Sequence, residues 1–132
     1  MVFLIADDNV RMRESIKRFL LTRMPNHHTV HEAADGGAAI ALYDREHPDW
    51  VLMDIVMEPV DGLSASRVIM AAHPDAKIII LTSYDDQRYR TAAKEAGTKA
   101  FVLKEHLSEI PLILSEISHA AHSSKPLKED PS

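Results

Sequence analysis

Short apolar runs alternate along the chain with stretches whose apolar residues recur at helical spacing, and the alternation repeats five times. Val2 to Ala6 is apolar and stops at Asp7-Asp8-Asn9, which predicts a first strand carrying acids at its carboxyl end. From Val10 the period changes. Met12, Ile16, Phe19, Leu20 and Met24 share one helical face, Asn9 suits the N-cap, and Pro25 ends the helix. His28 to Ala34 holds Val30 between polar neighbours and is expected to be a weaker second strand near a sheet edge. Asp35-Gly36-Gly37 turns the chain into an alanine-rich helix through Ile40, Ala41 and Leu42, closed by His47-Pro48.

Trp50-Val51-Leu52-Met53 is apolar on both parities, as suits a strand covered on both faces, and it ends on Asp54. After Asp61-Gly62, Leu63 to Ala72 predicts a third helix with Val68, Ile69 and Ala72 inward. Lys77 to Thr82 is the clearest buried strand, β-branched and ending on a hydroxyl. Tyr84 to Ala96 is expected as a fourth helix with Gly97 as its stop. Ala100 to Leu103 forms a short fifth strand before Lys104, and Ser108 caps a last helix carrying Ile110, Ile113, Leu114, Ile117 and Ala121. Five strands alternating with five helices imply an α/β doubly wound parallel sheet. Right-handed crossovers leave few topologies, and the strand order 2-1-3-4-5 is adopted from the flavodoxin-like fold rather than derived.

At 132 residues the chain is one domain able to bury a core, expected over 1–122, with the polar stretch 123–132 a linker or disordered tail. It has no cysteine, which excludes a disulfide framework or a thiolate metal site and suits a reducing compartment. No apolar run is long enough to span a bilayer, and the first residues lack a signal-peptide pattern, so a cytoplasmic protein without membrane contact is expected. The net charge of -5 and the scattered basic residues argue against direct nucleic-acid binding by this segment.

Strands one, three, four and five end in Asp7-Asp8, Asp54, Thr82 and Lys104, and in a parallel sheet those ends share one edge. Taken singly, each has a bland account as an N-cap, a turn residue or a solvated strand end; four complementary groups on four strands point to a site. Two carboxylates about 4 Å apart repel by about 4 kcal/mol at an effective dielectric of about 20, so a cation is expected between them. All-oxygen donors with no cysteine or histidine favour a hard ion, and Mg²⁺ is the one that keeps waters while meeting a phosphate. A carboxylate could then attack a phosphoryl group in line and form an acyl phosphate, with Lys104 and Mg²⁺ neutralising its oxygens and Thr82 donating a hydrogen bond.

These residues resemble the receiver domain of two-component response regulators. The motifs that carry the resemblance are Ala6-Asp7-Asp8-Asn9, Leu52-Met53-Asp54-Ile55-Val56-Met57, Val60-Asp61-Gly62-Leu63, Ile80-Leu81-Thr82-Ser83 and Phe101-Val102-Leu103-Lys104, across Val2 to about Ala121. The resemblance implies that Asp54 is the phosphoacceptor. It implies further that Asp7, Asp8, Asp54 and the backbone carbonyl of Val56 hold Mg²⁺, and that Thr82 and Lys104 contact the phosphoryl group. A sensor histidine kinase as donor, an output domain or protein, and a homodimer on phosphorylation are implied as partners. The domain would not be an enzyme in the ordinary sense, but would assist its own phosphorylation and dephosphorylation.

Two departures from the family pattern stand near the site. Glu58 occupies the place of the usual proline, with Pro59 one residue later, and Lys104 is followed by Glu105 where a cis-proline is usual. In such domains an aromatic on strand five turns inward as the threonine moves; here it is Phe101, without a hydroxyl, so a switch by packing alone is expected on the surface of the fourth helix, fifth strand and fifth helix. Val56 and Tyr84 flank the acceptor and should hinder an attacking water, giving slow self-dephosphorylation.

The rival classes are weaker. A flavodoxin needs a hydroxyl-rich phosphate loop where Asp7-Asp8 stands, and a dehalogenase-type hydrolase needs a second Asp at Val56. Histidine metal sites at His27-His28-His31 or His119-His122 lack completing ligands. A stand-alone receiver, or a receiver-like interaction module that is never phosphorylated, remains the alternative to the N-terminal part of a DNA-binding transcription regulator.

Overall fold

A computed structural model describes residues 1–24 and 28–117. Five parallel strands, β1 Val2–Ala6, β2 Thr29–Ala33, β3 Trp50–Met53, β4 Ile78–Thr82 and β5 Ala100–Leu103, form one sheet in the order β2-β1-β3-β4-β5. Between them run α1 Val10–Arg23, α2 Gly36–Glu46, α3 Gly62–Ala72 and α4 Gln87–Glu95. A 3-10 turn, Lys104–His106, leads into α5, helical over 109–117. Pro25, Ala121, the tail 123–132 and the histidines at 27, 119 and 122 lie outside the described residues.

The period-two alternation of a strand sorts the apolar runs into two layers. Leu4, Val51, Met53, Ile78 and Ile80 face α2, α3 and α4, whereas Phe3, Ile5, Leu52, Ile79 and Leu81 face α1 and α5. The central strands β3 and β4 are buried at every position, which is why they read as continuous apolar runs. The edge strand β2 has one fully buried residue, Ala33. Trp50 opens β3 completely buried, with the Lys77 ammonium 4.9 Å from its ring centroid.

Three expectations need correction. In α3 the buried residues are Gly62, Leu63, Ala65, Ser66 and Ile69, which recur at spacings of three and four, and both Val68 and Ala72 are exposed. Apolar identity misled there, because the small hydroxyl of Ser66 fits under the helix where Val68 was expected. α4 starts at Gln87, not Tyr84, since Asp86 caps it by accepting from the Arg88 amide, leaving Tyr84 in the preceding loop. β4 starts at Ile78, one residue after Lys77. The remaining boundaries agree with the sequence pattern to within a residue or two, as helix and strand ends do.

The stripe in α3 is testable. Ile69→Ala should cost about 2–5 kcal/mol in urea unfolding, while Val68→Ala should stay within about 0.5 kcal/mol of the parent. Comparable losses at the two positions would mean that α3 packs on a different face.

Candidate functional site

The carboxyl ends of β1, β3, β4 and β5 lie along one edge. Ala6 and Met53 are register partners, and the Asp54 amide donates to the Ala6 carbonyl at 2.9 Å. Asp7 is fixed in turn by its own amide, which donates to Ala33 O at 3.0 Å on the far side of β1. One carboxylate oxygen from each of Asp7, Asp8 and Asp54 falls within 4.8 Å of the others. Asp7 and Asp54 are buried and Asp8 is exposed, so the cluster opens to solvent on one side.

Lys104 reaches into the cluster from the end of β5. Its Nζ lies 2.7 Å from Asp7 Oδ2 and donates to Asp54 Oδ2 at 3.0 Å. The other Asp54 oxygen, Oδ1, accepts from the Ile55 amide at 2.8 Å, while Asp7 Oδ1 accepts from the Asn9 amide at 2.9 Å. Burial pushes the Asp54 carboxyl above its ordinary value; Lys104 works against this, and the Asp7 charge adds to it. Burial works to lower the Lys104 ammonium, but its contacts with Asp7 and Asp54 outweigh that and raise it.

Thr82 is fully buried at the end of β4, and its Oγ1 accepts from the Tyr84 amide at 3.4 Å. Phe101 is half-buried on β5, opposite Ile80, with the Arg90 guanidinium 4.5 Å from its ring centroid. Val56 is exposed and, with Met57, Glu58, Arg67 and Tyr89, borders an open cavity of about 360 Å³ beside the acceptor loop. The bond between Glu58 and Pro59 is cis, the only such bond among the described residues; Lys104 to Glu105 is trans and turns through the 3-10 segment instead.

Two further residues position the site: Gly62, which the sequence marked only as part of a motif, and Arg13, which it did not mark at all. Gly62 donates its amide to Ile55 O at 2.9 Å, and a Cβ there would collide with the Asp54 carbonyl, so no other residue fits behind the acceptor without moving backbone. Arg13 Nη1 donates to the Asp7 carbonyl at 2.7 Å while its Nε donates to Glu32 Oε1 at 2.9 Å, tying α1 and β2 to the acidic loop. The glycine after Asp61 was a visible signal; Arg13 looked like any polar residue of α1.

Residues 3–114 match the family described as the response regulator receiver domain. The chain belongs to that family. It is 37% identical over 101 residues to the transcriptional regulatory protein DegU of Brevibacillus brevis, covering 76% of this chain and 42% of the relative. Protein CcdB of Bacillus subtilis is 41% identical over 101 residues, covering 76% of this chain and 82% of that protein. Among solved structures, a LuxR-family two-component response regulator from Aurantimonas superposes with a TM-score of 0.80 at 32% identity, covering 88% of this chain and 83% of that one. The receiver spans about half the length, or less, of three curated relatives named as transcriptional regulatory proteins. No described helix is long and apolar enough to cross a membrane.

The raised Asp54 value has a sign that can be tested. The folded receiver binds the Asp54 proton more readily than the unfolded chain does, so this group's contribution to stability declines as pH rises from the ordinary carboxylate range through the raised folded value. Asp54→Asn should therefore lift the melting temperature of the metal-free protein at neutral pH, with the gap closing at lower pH. Thermal melts in chelator at two pH values measure it, and a lower melting temperature for the variant at neutral pH would contradict the raised value.

Proposed function

We propose that Asp54 accepts a phosphoryl group, and that the resulting acyl phosphate shifts the receiver between two conformations read by an output domain. The observation that carries this is the convergence of Asp7, Asp8 and Asp54 on one solvent-open point with Lys104 bridging two of them. The donor set suits Mg²⁺: all its atoms are oxygens, and three carboxylates meet a single ammonium at a point that Asp8 leaves open to solvent. Asp7, Asp8 and Asp54 would hold the ion, with the Val56 carbonyl as a further ligand. Bound there, the ion neutralises charge on the phosphoryl oxygens.

An Asp54 carboxylate oxygen attacks phosphorus in line. The new O–P bond forms as the P–N bond of a phosphohistidine breaks, and its electron pair leaves with the imidazole of the kinase. Lys104 moves from pairing carboxylates to contacting the phosphoryl oxygens, and Thr82 gives up its contact with the Tyr84 amide to donate a hydrogen bond from its hydroxyl to one of them. The space Thr82 leaves is filled by Phe101, which moves the surface of α4, β5 and α5. That surface would carry the signal to a DNA-binding output, and would pair two phosphorylated copies. Support for such an output comes from the relatives named as transcriptional regulators, about half of whose length this chain matches. A free-standing cytoplasmic receiver is the second reading, favoured by the Bacillus subtilis protein, which it covers over 82% of that length.

Incubation with acetyl phosphate and Mg²⁺, followed by intact mass measurement, should give one phosphoryl adduct that chelator prevents and Asp54→Asn abolishes. An adduct that persists in Asp54→Asn, or none in the parent, would favour an interaction module that is never phosphorylated. Val56→Asn should speed loss of the adduct, because an amide in place of an exposed apolar side chain can orient the attacking water; an unchanged rate would show that Val56 does not guard the site.

A further inference from the structure

Phe101 lacks the hydroxyl through which a tyrosine could be held in either of two positions, so its directional contact is made through the ring face. That face is occupied by Arg90, whose guanidinium lies 4.5 Å from the ring centroid. Arg90 is itself held from behind: its Nε donates to Asp85 Oδ1 at 2.9 Å. Asp85 stands in the loop between Thr82 and α4, so the segment that must shift when Thr82 moves also carries the anchor for the cation over the ring. Arg90, Phe101, Ala93 and Lys94 line an open cavity of about 360 Å³, which leaves the ring room to move.

We propose that Arg90, anchored on Asp85, is a latch that holds Phe101 in its half-buried resting position and so opposes phosphorylation at Asp54. The inference rests on the proposed roles of Asp54 and Phe101. A ring stacked under Arg90 cannot also fill the space vacated by Thr82, so the contact exists in one state only. An interaction made in one state alone shifts the equilibrium by its full worth. For a partly exposed cation over an aromatic ring, that worth corresponds to about a two- to fivefold change in population. Arginine suits the post better than lysine, because its planar group can stack on the ring while its edge bonds to the carboxylate.

The test uses the full chain with beryllofluoride and Mg²⁺ as the phosphoryl mimic, titrated by NMR. Arg90→Met keeps the aliphatic stem and removes the charge; it should bind the mimic about two- to fivefold more tightly than the parent. Asp85→Asn should shift affinity in the same direction by less. With 4-fluorophenylalanine at position 101, the ¹⁹F signal of ligand-free Arg90→Met should move towards its position in the loaded parent. In a Phe101→Leu background Arg90→Met should change nothing, since leucine offers no ring face. Unchanged or weaker affinity in Arg90→Met, or an equal gain in the Phe101→Leu background, overturns the latch while leaving the acceptor site intact. Failure of the parent to bind beryllofluoride at all would instead overturn the acceptor reading, and the latch with it.

Discussion

The ammonium of Lys104, wedged between Asp7 and Asp54, is the contact on which the working edge of the sheet depends. Two buried carboxylates on adjacent strands would otherwise repel each other in surroundings that screen poorly. One flexible stem from β5 reaches across β4 to tie them together. The remedy is deliberately incomplete in charge terms. Three carboxylates against one ammonium leave two negative charges (3 − 1 = 2), on the side where Asp8 meets solvent. The excess matches the charge of a divalent cation; at Asp54 burial is the main cause that raises the carboxyl despite its cationic partner, and the Asp7 charge adds to it.

The helices reinforce the same edge. α1, α2, α3 and α4 begin there, each capped by an Asn or Asp side chain: Asn9, Asp35, Asp61 and Asp86. A capping carboxylate satisfies amides that would otherwise be orphaned, and helix amino termini carry partial positive charge. The Asp61 carboxyl shows the balance plainly. Burial pushes it up, but bonds from the Ser64 amide and hydroxyl, with Arg67 nearby, bring it below the ordinary range. Sheet and helices thus deliver donors and acceptors to one line by the same parallel winding.

Much of this was legible in the residue pattern because strands and sites obey separate, simple rules. Burial on both faces of β3 and β4 follows from runs such as Ile78-Ile79-Ile80-Leu81, and the strand-end acids stand out because each directly follows an unbroken apolar run. The strand order was adopted from a known fold, and register pairs such as Met53 with Ile80 appear only in three dimensions. Helix faces proved harder where size competes with polarity, as Ser66 and Val68 show. Contacts at long sequence distance were invisible: the Arg13 bond to the Asp7 carbonyl and the Arg90 stack on Phe101 depend on which helix lies beside which strand.

The loop after the acceptor is pinched shut at its base, where the Gly62 amide meets the Ile55 carbonyl. Beyond that knot Met57 is buried in the core and the Val60 carbonyl accepts from the Gly36 amide, while Val56, Glu58 and Pro59 are exposed. Replacements at the tip, such as Glu58 in the usual proline position, can therefore reshape what an approaching molecule encounters while the chemistry beneath keeps its coordinates. Recognition can be varied at the exposed residues Glu58 and Pro59 without replacing any member of the acidic cluster.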